Sequence, residues 1–322
     1  MAFANASYTD IIATTLEHRS KTIADNMSSN TALLNRLKAK GKIQTVSGGS
    51  KIVQTVSFAE NGNFMWYSGY ETLQVSPSDV ISAAEFAWKQ CAVAVVASGL
   101  ETDIQNTGKE ALIDLLEARI DVAEKTMLNN LSVGLYSDGT GSGGKQVTGL
   151  GAAIPITVTN TYGGIDRNVY TFWRPIYQAA GYTSATLVAG MDLLWAQLVS
   201  GTIKPDLYPC DANMWALYEA ALQPLQRITD PKMADAGFQS YKYKGGDVVL
   251  DGGIGGSCTT KTMFFLNTDY IHWRPAARRN MVPLSPNRRF ATNQDAEVQL
   301  LAWAGNLTMS GSRYHGRLVD SD

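Results

Sequence analysis

Apolar positions along the chain change their period several times, and those changes divide it into segments. From Ser50 a β-branched run places Ile52, Thr55, Val56 and Phe58, and a second run places Phe86, Trp88, Cys91, Val93, Val95 and Val96, so two strands are predicted. Between them lies NGNFMWYSGYETLQVSPSD, residues 61–79, which exceeds the usual hairpin turn and carries Phe64, Met65, Trp66, Tyr67 and Tyr70. A hairpin extension of this size has almost no interior for such rings. The loop either folds back over its own domain or contacts another molecule, and its aromatic and Met content favours the contact.

The period then becomes helical. Leu112, Leu116, Ile120, Ala123, Met127 and Leu131 recur at three and four residues, with Asp114, Glu117, Asp121, Glu124 and Lys125 on other faces, which predicts a helix from about 108 to 136. Thr107 and Glu110 form a capping box at its start. If continuous it spans about 43 Å, the width of a domain. It stops at SDGTGSGGKQ, residues 137–146. Beyond, the pattern is mixed: a strand near 154–161, strand-like ATLVAG then helix-like MDLLWAQLV within 181–201, and a helix from about Ala212 to Leu222. GGDVVLDGG, TKTMFFLNTDYI and QDAEVQLLAWAGNLTMS read as strands. Before all of this, residues 1–44 have short apolar spacings (Ile11, Ile12, Leu16; Leu33, Leu34, Leu37) without a strong stripe. They read as an extended arm with short helices, unable to make a core of its own: a frayed terminus or a strap on a neighbour.

Composition narrows the functional classes. The 322 residues carry 27 Lys plus Arg against 29 Asp plus Glu, a formal charge of -2, so there is no global basic field of the kind DNA binders use. Charged residues make up only 17%, below the roughly 25% of ordinary domains, which fits a surface covered by other subunits and equally a Gly-rich monomer. The cysteines Cys91, Cys210 and Cys258 form no close pair, and a reducing compartment is expected. The longest uncharged apolar run, Cys91 to Leu100, is about half the roughly 20 residues of a membrane span. No signal pattern opens the chain, so a soluble protein kept in the cytoplasm is expected.

Candidate chemistry is sparse. Gly139, Gly141 and Gly144 match GxGxxG, and Gly139 to Lys145 match GxxxxGK, but a predicted helix leads in, strand-like QVTGL follows, and Gln146 stands where a P-loop needs Ser or Thr. A flexible helix-exit turn is the better reading. His18, His272 and His315 are isolated, without metal-ligand spacing, and no GxSxG elbow exists. No catalytic, metal or cofactor site is expected. One charge cluster stands out: Arg274, Arg278, Arg279, Arg288 and Arg289 occur with no intervening acid, among Pro275, Pro283 and Pro286. This stiff basic loop suits acidic subunit neighbours or DNA, and the near-neutral whole favours subunits.

The order of these parts resembles the major capsid proteins of tailed bacteriophages with the HK97-like fold. The phrases that carry the resemblance are SAAEFAWKQCAVAVVASGLE, ALIDLLEARIDVAEKTMLNNL, YKGGDVVLDGG followed by MFFLNTDYIHW, and NQDAEVQLLAWAGNLTMSGSRYHGRL. It covers nearly the whole chain and rests on the ordered set, since no short motif is diagnostic. It implies an α+β fold with an N-terminal arm (1–44), an extended β-hairpin loop and its strands (45–100), and a peripheral domain with spine helix and glycine-rich loop (101–179). An axial domain (180–258) and a return to the peripheral domain (259–322) would follow.

The implied function is structural. Self-assembly into pentamers and hexamers would build an icosahedral virion shell around double-stranded DNA, inside the host cytoplasm, with an encapsulin-like cargo compartment as the alternative. The hairpin residues Phe64, Met65, Trp66, Tyr67 and Tyr70 and the five arginines would be subunit contacts. Implied partners are further copies, a separate scaffolding protein because no charged helical pro-segment precedes the arm, a portal protein, a decoration protein, and weakly contacted DNA; no membrane is implied. Some relatives crosslink through a hairpin-loop Lys; residues 60–80 hold none, so no such bond is expected.

Overall fold

The computed structural model describes residues 31–98, 109–222, 240–251, 257–284, 289–290 and 296–321. Helix α1 (Ala32–Ala39) lays Ala32, Leu33, Leu34 and Leu37 onto the protein's own core, where all are buried. Its polar side is held by charge: Arg36 Nε lies 3.2 Å from Asp206, and Lys40 Nζ lies 3.0 Å from both Asp206 and Asp269. Burial opposes ionisation of Asp206, but the Thr268 hydroxyl and amide and the Lys40 ammonium together hold its carboxyl below the ordinary range. The chain then joins a sheet edge, with Gln44 N donating to Trp273 O at 3.0 Å and Val46 N to Pro275 O at 2.9 Å. Residues 31–46 therefore dock on the body of the same chain, a correction, for this part of the predicted arm, to the expected frayed terminus or strap on a neighbour. The short apolar stripe suffices because distant segments supply the surface that receives it. Residues 1–30 of the predicted arm lie outside the described residues.

Strands β1 (Ile52–Ser57) and β2 (Ile81–Phe86) pair antiparallel as a two-stranded ribbon, Ile52 opposite Phe86 and Ser57 opposite Ile81. Ile52, Val56, Ala84 and Phe86 are buried on one face, while Val53 and Ile81 are exposed on the other. The chain then breaks at Ala87 and Trp88, and β3 (Lys89–Ser98) enters a different sheet. The second predicted strand, Phe86 to Val96, is thus split between two sheets.

Helix α2 (Lys109–Tyr136) is the predicted spine, 28 residues and about 42 Å long. Ile120, Ala123, Met127 and Leu131 are buried as the stripe requires, and Glu124, expected on another face, is buried too. Thr107 and the Glu110 side chain lie outside the described residues. The glycine segment after it is a turn: Ser142 (φ 54°) and Gly143 (φ 67°) take left-handed conformations, and Asp138 accepts hydrogen bonds from the Thr140 amide (3.0 Å) and hydroxyl (2.7 Å). A helical turn, Leu150–Ala153, and irregular chain replace both the strand-like QVTGL and the strand expected near 154–161.

A six-stranded sheet follows the order β4 (Ile176–Ala180), β13 (Gly316–Asp320), β8 (Thr262–Phe265), β5 (Leu207–Cys210), β7 (Gly246–Leu250), β6 (Ser240–Tyr243). Helices α3 (Leu187–Leu198) and α4 (Ala212–Leu222) pack on it, sharing a core with Tyr208, Val248, Met263 and Leu318. Leu187 to Gly190, expected as strand, belong to α3, because Leu187, Gly190, Met191, Leu194 and Leu198 bury one helical face. Strands β8 and β13 bring segments of 259–322 into the sheet formed with residues 180–258.

The other sheet centres on β12 (Ala296–Met309), which pairs antiparallel with β3, with β9 (Ile271–Pro275), with β10 (Val282–Pro283) and with β11 (Arg289–Phe290). Trp303 of β12 stacks on Trp273 of β9 at 5.0 Å, inside the core that α1, α2 and the ribbon root share. Among the described residues, no helix is long and apolar enough to cross a membrane.

Candidate assembly surface

The ribbon is firmly rooted. The Phe86 ring meets Tyr162 edge-on at 5.2 Å, and Glu85 N donates to Gly163 O at 2.9 Å. Gly163 has φ +61°, and a Cβ there would stand 3.0 Å from Ala84 Cβ and Phe86 Cζ, so a side chain at this position is strained and crowds the ribbon above it. From β9, Arg274 donates to Gln54 Oε1 at 2.9 Å and to Gln44 Oε1 at 2.6 Å. One guanidinium thereby ties the lead-in to the ribbon base.

Beyond Phe58 this shell of neighbours ends. Phe64 is 74% exposed, Trp66 89% and Tyr70 fully, and Met65, Tyr67, Leu73 and Val75 are exposed with them. The loop is nevertheless shaped by its own bonds. Asn63 Nδ2 donates to Ser76 O at 2.6 Å, Ser76 Oγ to Asn63 Oδ1 at 2.8 Å, and Ser68 N to Glu71 Oε2 at 3.1 Å. Phe64 and Trp66 meet edge-on at 5.5 Å. The loop is thus a pre-shaped patch of exposed apolar side chains.

No protein-family model matches the chain, and no curated protein matches it in sequence. Solved structures do match. The cyanophage A-1(L) capsid asymmetric unit contains a chain 18% identical, with TM-score 0.63 over 87% of this chain and 90% of that one. The chain has the fold of capsid-shell proteins. A satellite phage P4 procapsid that includes a size determination protein aligns at TM-score 0.53 and 10% identity, over 93% of this chain and 90% of that chain. The SrpI encapsulin complex of Synechococcus elongatus PCC 7942 aligns at TM-score 0.52 and 9% identity, over 89% and 88%.

Within this shell-protein fold the predicted basic loop is divided. Arg274 is half-buried and turned to Gln44 and Gln54, and burial lowers its pKa. Arg279 is exposed and donates to Gln90 Oε1 at 2.6 Å, and Arg278 is exposed. Arg289 contributes its backbone to β11 opposite Val298, while Arg288 lies outside the described residues.

Burial drives the His272 imidazole down to about 4 and the His315 imidazole to about 3, and His315 Nδ1 accepts from Asn267 N at 3.2 Å. Burial raises the Cys91 thiol to about 11 and raises Cys210 and Cys258 also, so none is poised as a thiolate. His18 lies outside the described residues. Among the described residues, no group of three or more His, Cys, Asp or Glu could hold a metal ion.

Two organising residues escape sequence reasoning. Arg167 is fully buried and donates to Trp173 O (3.0 Å), Ala153 O (2.6 Å) and Ser312 Oγ (2.8 Å), with Tyr162 beneath it at 4.7 Å. Buried Asn306 joins β12 to the ribbon exit and to Thr148. Neither sits in a motif; the only signal is a polar residue near or within apolar runs.

Proposed function

We propose that this chain is a major capsid protein: copies of it assemble as pentamers and hexamers into an icosahedral shell that encloses double-stranded DNA. One observation carries the reading. On a capsid-shell fold, the ribbon presents Phe64, Trp66, Tyr67 and Tyr70 to solvent while its root is fixed to the body. A second subunit is the partner that buries such rings without requiring any other gene product, and closed symmetry repeats the contact around the shell. The near-neutral charge supports a wall that touches DNA weakly.

The six-stranded sheet with α3 and α4 would serve as the axial domain around the five- and six-fold axes, and the β12 sheet with α2 as the peripheral domain. Among the described residues, Arg278 and Arg279 are the exposed arginines of the basic loop, suited to contacts between capsomers. A scaffolding protein would set shell size, a portal would occupy one vertex, and a decoration protein would sit on the outer face. The shell performs no catalysis in this reading.

The likeness to the SrpI encapsulin supports a second reading, a compartment for protein cargo. Electron microscopy of the purified chain with and without its scaffold tests both. Shells with DNA and one portal vertex are expected; shells filled with enzyme favour the compartment, and failure to form any shell overturns both.

A further inference from the structure

Beside the glycine turn, β3 and α2 part to leave a hollow of about 360 Å³. That is the low end of the roughly 300–1,000 Å³ of small-ligand pockets. Its floor is apolar: Met127, Leu131 and Val147, all buried, line it together with Trp303. Trp303 is fully buried too, and its Nε1–H, a donor only, meets no acceptor among the described residues. Stacking on Trp273 at 5.0 Å holds the ring, so the indole is not free to turn elsewhere for a partner. Buried donors are almost always paired, and one on the wall of a cavity calls for an acceptor held in that cavity.

Charge around the hollow has one sign. Lys145 lines it and is exposed, and Lys89, also lining it, donates to Gly144 O. No Asp or Glu is among the described residues that line it. An apolar, partly enclosed surround screens such charge less than open water does.

We infer that this hollow binds a compact aromatic carboxylate, whose ring lies on Met127, Leu131 and Val147 and whose carboxylate accepts from Trp303 Nε1 in the positive potential of Lys145 and Lys89. Other classes match less of the site. A hydrocarbon would leave the indole N–H open, inorganic phosphate would leave the apolar floor unfilled, and a cation would be repelled by the lysines. The inference stands apart from the shell reading, since it concerns the single subunit.

The test uses the full chain as unassembled subunits with 2-naphthoate as the probe. Cys91 lines the hollow and is half-buried, whereas Cys210 and Cys258 are buried and serve as internal controls. At ten times its Kd, 2-naphthoate should slow modification of Cys91 by methyl methanethiolsulfonate about tenfold, by occupancy alone. It should also shift the indole N–H resonance of Trp303, which Trp303→Phe assigns. Naphthalene-2-carboxamide, of the same shape without the charge, should bind about tenfold more weakly, as should 2-naphthoate to Lys145→Glu at low salt. Trp66→Ala should leave both readouts unchanged, which separates the hollow from the exposed rings of the ribbon. Unprotected Cys91, an unmoved Trp303 resonance, equal binding of the amide, or protection lost in Trp66→Ala would each overturn the site.

Discussion

The side-chain amide of Asn306 donates to the carbonyl oxygen of Ala87 at 2.9 Å, at the residue where the chain leaves the ribbon for the large sheet. Its Oδ1 accepts from Thr148 N at 3.0 Å. One buried amide therefore fixes β12, the ribbon exit and the segment after the glycine turn. Asn306→Leu keeps the volume but leaves these backbone groups without their partner, so a loss of about 2 kcal/mol is expected in urea unfolding of the subunit. A change below about 0.5 kcal/mol would remove Asn306 from this role.

Arg167 is an uncommon case of a fully buried guanidinium held by carbonyl and hydroxyl oxygens. Burial lowers its pKa to about 10, with Tyr162 opposing the shift. Arg167→Met should cost about 3 kcal/mol, because several buried acceptors lose their donors together. Arg167→Lys should recover little, since an ammonium does not reproduce the planar fork. Thermal unfolding of the two variants checks both statements.

Acid should destabilise the subunit through its buried histidines. His315 falls from the ordinary 6.5 to about 3, so between those values the unfolded state binds a proton that the native state refuses. Its contribution is intact above pH 6.5 and is lost as pH falls, by about 5 kcal/mol when pH 3 is reached. His272 acts with the same sign between 6.5 and about 4. Asp251 acts oppositely: burial raises its carboxyl from 3.8 to about 6, against a hydrogen bond from Tyr136 that lowers it, so its contribution declines as pH rises through that window. His315→Gln, which offers Asn267 N an acceptor that does not titrate, should flatten the dependence of unfolding free energy on pH below 6.5. An unchanged slope would contradict the assignment.

Trp66 touches little of its own chain beyond Phe64. Trp66→Ala should therefore shift subunit stability by less than about 0.5 kcal/mol and leave the circular dichroism spectrum unchanged, while particle yield by electron microscopy falls. Normal yield would show that the exposed rings are not assembly contacts.

The spine helix was legible because one helical period runs over many residues, α2 covering 109–136 against the predicted 108–136, and β12 was legible as a long, mostly apolar run. The uncovered ring cluster was legible too, since its length and composition alone left it no interior. The break at Ala87 was not. Ala84, Phe86 and Trp88 keep strand parity straight across it, and the bond that turns the chain comes from Asn306, far along the sequence. The docking of α1 was hidden likewise, because Arg36 and Lys40 find Asp206, Asp247 and Asp269 only through the tertiary fold. Adjacent arginines read as one cluster, yet strand geometry turned Arg274 inward to Gln44 and Gln54 and left Arg278 exposed.

Hydrogen exchange across residues 58–80, compared between isolated subunits and assembled particles, bears most directly on whether the ribbon is completed by another copy. Fast exchange in the free subunit and at least about tenfold slower exchange in the particle are expected. Protection already present in the free subunit, or equally fast exchange in both, would contradict the account.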